Sequence, residues 1–171
     1  VSKFVPAEDI IIPYTATDLE TCERITHVVK IMGNELRKKQ IGGMYRDVDI
    51  TPSSVDNNDA QDKYDELDGL SETQNAEDIS LLEFHCDLDI PGFEDKNVTT
   101  GEVTGIKLPY VVTVDEGTNK VLSIYRNYRE GDPLRKKVQY FVHYKFLPGL
   151  GFYGFGLIHM LGGLSRTATS A

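Results

Sequence analysis

The sequence predicts an α+β fold in which an antiparallel β-meander of four to five strands is combined with short helices and a C-terminal helix. Two observations support this prediction. Segments rich in β-branched and aromatic residues recur along the chain, and several are joined by connections too short for a helical crossover. Helical patterns are confined to one short stretch after Met32, one acidic stretch and the C-terminal end.

Residues 1–50 are predicted to form a strand-helix segment. Residues 10–12 are an apolar run ended by a proline, and Arg24–Met32 is rich in β-branched residues, so both are predicted strands. Asn34 is predicted to cap a helix over residues 35–41, which carries an acidic residue in its first turn and lysines near its end. A glycine pair then stops this helix.

Residues 51–78 are predicted to be an acidic insert, either helical or flexible. Tyr64, Leu67 and Leu70 recur at a spacing of three and form a thin apolar stripe in an otherwise polar stretch. The low content of apolar residues gives this insert little to bury in a core.

Residues 79–147 are predicted to form the antiparallel sheet. In its first strand Leu82, Phe84 and Cys86 alternate onto one face. A hairpin turn is predicted at residues 115–119. The predicted strands cover residues 79–90, 107–114, 120–128 and 136–146.

Residues 148–171 are predicted to contain the start of a long helix, beginning at Tyr153. Leu157, Ile158, Leu161 and Leu164 give it an apolar stripe, and no glycine, proline or charged tail stops it before the chain ends. The sequence therefore predicts that the chain is a piece of a larger protein in which this helix is truncated.

The charge is acidic overall and unevenly distributed. The chain has 18 basic and 27 acidic residues, a formal net charge of −9, which is unfavourable for tight binding to nucleic-acid phosphates. Residues 45–95 hold 16 acidic and 2 basic residues, whereas residues 120–147 hold 7 basic and 2 acidic residues. Opposite charges on one chain suit contacts between subunits, and a solvated acidic face is an equally open interpretation.

A glycine motif, Gly149-x-Gly151-x-x-Gly154, lies between a predicted strand and the predicted C-terminal helix. In dinucleotide-binding folds this spacing lets the backbone approach a pyrophosphate at a helix N-terminus. The preceding strands are predicted to form hairpins, and the intervening residues include aromatic side chains that can anchor a turn. A structural strand-to-helix turn is thus the favoured interpretation, and nucleotide binding is the alternative.

No catalytic, cofactor-binding or metal-binding residues are predicted, and the chain is not expected to be an enzyme. Gln61 and Leu67 stand where a calcium-binding EF-hand that began at Asp56 would need glycine and glutamate. The histidines have no metal-ligand spacing; they are His27, His85, His143 and His159. The two cysteines, Cys22 and Cys86, are predicted to be free thiols, with a disulfide as the alternative.

Four blocks of the sequence resemble the portal (head-to-tail connector) proteins of tailed bacteriophages, in the branch of short-tailed phages and related prophages. The order of the blocks, and especially YGFGLIHMLGGLSR after LPG, carries the resemblance. The blocks are IIIPYTATDLETCERITHVVKIMGNELRKKQIGGMYRDVDI, LLEFHCDLDIPGFED, TGIKLPYVVTVDEGTNKVLSIYRNYREGDPLRKK and FLPGLGFYGFGLIHMLGGLSRTATSA.

The resemblance implies a structural virion protein without catalytic activity. A portal forms a homo-oligomeric ring, typically of twelve subunits, at one capsid vertex, and DNA is packaged and ejected through its channel without specific binding. Terminase, scaffold, capsid and tail proteins are the implied partners, and no membrane is involved. The implied location is the virion, after assembly in the bacterial host cytoplasm, and this chain would correspond to much of the outer wing region. A generic protein-interaction module remains an alternative.

Overall fold

The computed structural model describes residues 2–50, 78–97, 99–145, 147–149, 151–154 and 156–170. Its five strands form one antiparallel sheet in the sequential order β1-β2-β3-β4-β5, which confirms the predicted α+β meander. The strands are β1 (Ile10–Ile11), β2 (Arg24–Met32), β3 (Asp78–Leu88), β4 (Leu108–Asp115) and β5 (Val121–Arg126). The helices are α1 (Gly33–Ile41) and α2 (Leu157–Ser170), and a 3-10 turn covers Ala7–Asp9. The insert predicted at residues 51–78 lies, apart from Asp78, outside the described residues.

Strands β4 and β5 form an antiparallel hairpin whose register shifts once, between Thr113 and Val114. Tyr110 pairs with Arg126 and Thr113 with Ser123 in antiparallel register. The fully buried carboxylate of Asp115 accepts a hydrogen bond from the backbone N–H of Thr118 (2.8 Å), which closes the turn. The turn predicted at residues 115–119 is therefore confirmed, because an acidic side chain at its first position satisfies a turn amide.

Helix α1 follows β2 directly, and its start differs from the prediction. Met32 is the N-cap residue and makes no capping side-chain bond, so the predicted capping role of Asn34 is wrong. Asn34 lies inside the first turn, because the helix begins one residue before it, at Gly33. The predicted stop is confirmed, since Gly43 has a φ of 73°, a conformation that favours glycine.

The chain divides into two compact units. The first comprises Val1–Ile25, Cys86–Pro109 and Asn127–Ala171, and the second comprises Thr26–His85 and Tyr110–Arg126. Each unit contains its own buried cluster. The linear division of the chain into four segments remains a prediction.

The second unit is built around an aliphatic cluster, here called the sheet core. Its members come from β2, α1, β3 and β5, namely Ile31, Leu36, Ile79, Leu81 and Leu122. On β3 the predicted face with Leu82 and Phe84 is only half-buried, whereas the opposite face buries Leu81 and His85 more completely. At the start of β3 the odd-numbered positions hold the apolar residues Ile79 and Leu81, and these enter the core.

A covering segment, residues 44–49, runs beside β5, the last strand in the sheet order. The backbone N–H of Arg46 donates to the carbonyl of Leu122 (2.8 Å), and the hydroxyl of Tyr125 donates to the carbonyl of Met44 (2.5 Å). The Nζ of Lys120 donates to the carbonyl of Asp49 (2.7 Å). The bond to Leu122 occupies a peptide group of this edge, and the two side-chain bonds hold the covering segment beside it.

The first unit is built around a second cluster, here called the Phe152 core. It contains Leu19, Cys22, Ile25 and Phe152, with Phe141 among the partly buried residues packed against it. Lysine side chains join its loops: Lys137 Nζ donates to the carbonyl of Cys22 (3.0 Å) and Lys145 Nζ to that of Thr17 (3.3 Å).

Two predictions in this region are wrong. Residues 136–145, predicted to form most of a strand, contain no strand. Such a strand would extend the meander beside β5, but the covering segment already bonds to that edge, at Leu122. The C-terminal helix begins at Leu157 instead of Tyr153, because Gly154 has a φ of 68° that a right-handed helix cannot contain.

Candidate functional site

The glycine motif forms a turn that is packed onto protein atoms. Gly151 and Gly154 have φ values of 83° and 68°, and a Cβ at Gly154 would lie 2.7 Å from the carbonyl oxygen of Leu147. Glycine is therefore required at Gly154 both for its conformation and for the close approach of the backbone. Because no strand precedes the motif within residues 136–145, it lacks the strand-turn-helix arrangement of a dinucleotide site.

The aromatic residues of the motif explain what the turn does. Phe152 is buried and stacks on His143 at 4.1 Å between ring centroids, and Tyr153 meets it edge-on at 5.1 Å. The hydroxyl of Tyr153 donates to the carbonyl of Ile10 (3.2 Å), and Lys145 Nζ lies 5.8 Å from the Phe152 ring centroid. Burial lowers the pKa of His143, and the charge of Lys145 lowers it further. These contacts support the structural interpretation of the motif.

A pocket of about 250 Å³ lies in the first unit, and it is called the Asp95 pocket here. Its walls contain apolar residues, of which Leu108 and Pro109 are buried. Lys96, Lys107 and Arg135 supply cationic groups around it. The complete lining is Asp95, Lys96, Asn97, Ile106, Lys107, Leu108, Pro109, Pro133, Leu134 and Arg135.

An ion pair between Asp95 and Arg135 fixes one side of this pocket. Asp95 is 8% exposed, accepts a hydrogen bond from Thr104 Oγ1 (2.7 Å) and pairs with the Arg135 guanidinium. Arg135 has a φ of 48°, an unusual value for a residue with a side chain. Asp132 supports this backbone, since its carboxylate accepts from the N–H groups of Leu134 and Lys136, each at 3.0 Å. The lining of the pocket thus combines an ion pair held by further hydrogen bonds with apolar residues.

A second polar feature lies on β3 in the second unit. His85 is 4% exposed and its Nε2 lies 2.8 Å from Glu83 Oε1. This hydrogen bond lowers the pKa of Glu83 against the opposing effect of burial, and the charges of His85, His27 and Lys39 lower it further. Tyr45 is half-buried, and its pKa is raised by burial and then by the negative charge of Glu83. The pair satisfies a buried histidine and stabilises β3.

The remaining candidate residues stay apart. Cys22 and Cys86 are free thiols, and burial raises the pKa of Cys86, which makes this thiol a weak nucleophile at neutral pH. Within the described ranges no group of three histidine, cysteine or acidic side chains could hold a metal ion. The side chain of His159 and the acidic stretch considered for calcium are outside the described residues.

Several large apolar side chains of the described residues are exposed, and most of these belong to the first unit. The clearest row is in residues 136–145, where Tyr140, Val142 and Tyr144 are 64%, 76% and 89% exposed. The alternate residues Phe141 and His143 are half-buried. The alternation of these residues is the pattern from which a strand over residues 136–146 is predicted, and nothing in that pattern indicates which face is outermost. Exposed apolar surface of this kind is typical of protein–protein contacts.

The comparisons with known proteins returned no match. No family model, no curated protein and no solved structure matches this chain. Among the helices that the structure describes, none has the length and apolar character needed to cross a membrane.

Proposed function

We propose that this chain is a structural module of a bacteriophage portal protein and that it assembles with further copies of itself into a ring. The observation that carries the proposal is the order of the sequence blocks that resemble portal proteins, which covers both units. The antiparallel meander is compatible with a wing region, and the module acts by binding protein, without catalysis.

The exposed apolar side chains support an assembly role. A row such as Tyr140, Val142 and Tyr144 leaves apolar area in water, and burial of such area stabilises an interface by about 25 cal/mol per Å² before the costs of association. Aromatic residues are enriched in the centres of interfaces, where they contribute large contact areas with few rotatable bonds. In a ring each subunit uses two different surfaces, so exposed apolar residues on both units are expected.

The negative charge of the chain is compatible with a position beside DNA at which the protein does not bind the DNA tightly. A net charge of −9 repels phosphates, which suits the wall of a conduit. Screening by salt limits this repulsion to roughly 10 Å at 0.1 M, so it acts only close to the surface.

Electron microscopy of the protein encoded by the whole reading frame tests this proposal. Rings with a central pore are expected, whereas monomers under every ionic condition would overturn it. Val142→Asp combined with Tyr144→Asp places charges in the apolar row and should reduce the fraction of assembled particles. Lys30→Glu, at an exposed position on β2, is the matched control and should leave the fraction unchanged.

A protein-interaction module with a different partner is the second candidate, and the separation of basic from acidic residues favours it. It predicts capture of one heterologous protein whose affinity falls as salt rises, with no ring from the encoded protein.

The nucleotide-binding alternative predicts a rise in the unfolding temperature with ATP or NAD. The packed state of Phe152 leads us to expect no rise.

A further inference from the structure

The Asp95 pocket has features that its structural role in the first unit does not require. Its lining combines cationic and apolar residues, and Lys96, Lys107 and Leu134 are exposed although they border a concave site. Of the charged lining residues three are basic and one, Asp95, is acidic. The pocket therefore carries an excess of positive charge on a chain whose net charge is −9.

Its size and chemistry define the kind of partner that fits. A volume of about 250 Å³ is below the range of roughly 300–1,000 Å³ for small-molecule sites, and it suits one or two inserted side chains. The apolar lining residues favour an aliphatic or aromatic side chain, and the two lining lysines favour carboxylates beside it. The complementary ligand is thus an acidic peptide with apolar anchors.

This chain contains such a peptide in its own sequence. Residues 55–77 hold eight acidic residues and one basic residue, a net charge of −7. Tyr64, Leu67 and Leu70 are spaced among these carboxylates, and Leu67 lies between Glu66 and Asp68. The segment lies outside the described residues.

We propose that the Asp95 pocket of one copy binds the acidic segment, residues 55–77, of a second copy. Lys96 and Lys107 attract the carboxylates of the segment, and one of its apolar side chains enters between Leu134 and the buried wall at Leu108. The contact joins two different surfaces, so each copy offers one pocket and one segment. Such a contact propagates from copy to copy and closes into a ring when the rotation permits.

The inference rests on the proposed self-assembly and specifies one contact of it. Two variants of the 171-residue chain test it by complementation. In the pocket variant Lys96→Glu is combined with Lys107→Glu, and in the segment variant Asp65→Lys is combined with Asp68→Lys. Each reverses the charge of one partner surface only, and circular dichroism and the unfolding midpoint show whether each variant is folded.

Sedimentation velocity of the wild-type chain should show association that increases with concentration and weakens as salt is added. Each variant alone should associate on the order of a hundredfold more weakly, because like charges then face each other. An equimolar mixture of the two variants should associate again, since an intact pocket then meets an intact segment and the two charge-reversed surfaces are also opposite in sign. Lys30→Glu should associate like the wild type.

Three results would overturn the inference: variants that associate as the wild type does, a mixture of folded variants that stays monomeric, or a monomeric wild-type chain. The last would be the result if the segment bound only within its own chain.

These results are separable from failure of the proposed function. If the encoded protein forms rings and its pocket variant forms them equally well, the portal proposal stands and this contact is wrong. If no rings form but the variants complement each other, the contact stands without the portal role.

Discussion

The sheet core and the Phe152 core are stabilised by different kinds of contact. The sheet core consists of aliphatic side chains from a helix and three strands of one sheet, in which neighbouring strands are linked by backbone hydrogen bonds. The Phe152 core is assembled mostly from loops, with ring contacts and lysine-to-carbonyl hydrogen bonds such as that from Lys137 to Cys22. The first arrangement distributes stability over many similar contacts, whereas the second depends on a few particular residues.

The largest effect is expected in the sheet core. Leu81 is 1% exposed and belongs to the aliphatic cluster, so Leu81→Ala should lower the free energy of unfolding by about 3 kcal/mol, through lost burial and a residual cavity. Urea denaturation measures this change. Ile41→Ala, at a side chain that is 76% exposed, is the control and should change stability by less than about 0.5 kcal/mol.

Near the Phe152 core, a substitution that strains the backbone should lower the free energy of unfolding more than one that changes the volume of a side chain. Gly154→Ala introduces a Cβ that would lie 2.7 Å from a carbonyl oxygen at a positive φ, and it should destabilise the chain by about 2 kcal/mol. Gly151→Ala has a similar φ but no atom within 4 Å of the added Cβ, so about 1 kcal/mol is expected. Equal effects at the two glycines, measured by urea denaturation, would contradict the role of close approach.

The polar pair on β3 should make the second unit sensitive to acid. Glu83→Gln weakens the bond to the buried His85 and should cost about 1 kcal/mol at neutral pH. The folded state lowers the pKa of Glu83, so its stabilisation is present above the ordinary value of 4.5 and is lost as pH falls through the lowered value. The free energy of unfolding, measured from pH 6 to pH 3, should therefore fall less steeply in Glu83→Gln than in the wild type. If the two proteins gave parallel curves of stability against pH, the stabilising role of the Glu83–His85 hydrogen bond would be contradicted.

The smallest effect is expected from a single lysine bond. Lys137→Met keeps much of the side-chain volume but removes the donor to the carbonyl of Cys22, and it should cost about 0.5–1 kcal/mol. Thermal unfolding followed by circular dichroism measures it, with Lys30→Met as the exposed control. If Lys137→Met lost no more stability than Lys30→Met, lysine-to-carbonyl hydrogen bonds would not distinguish the Phe152 core from the sheet core.

Local sequence patterns predicted the sheet better than the rest of the molecule. The β-branched residues of β2 and the turn at Asp115 identified both elements, because strand preference and turn chemistry act between near neighbours. The alternation in residues 136–145 was equally regular, yet no strand formed there. A strand also needs an available edge, and no local pattern reports that the β5 edge is already bonded to the covering segment.

The sites were also harder to predict, because they depend on contacts between residues that are distant in the sequence. The glycine motif suggested a turn with aromatic anchors, and the structure places Phe152 in such a position. The pairing of Asp95 with Arg135 was not predicted, since 39 intervening residues separate two side chains of common types. The positive φ of Arg135 left no signal in the sequence, because glycine, the usual residue there, is absent.

The covering segment beside β5 has a consequence for how the chain emerges from the ribosome. Arg46 precedes Val121 by 75 positions, so residues 44–49 are synthesised long before the strand that they cover. When β5 leaves the exit tunnel, its hairpin partner β4 and its cover are both already available. This edge strand therefore spends little time uncovered, and its free peptide groups are exposed to other nascent chains only briefly.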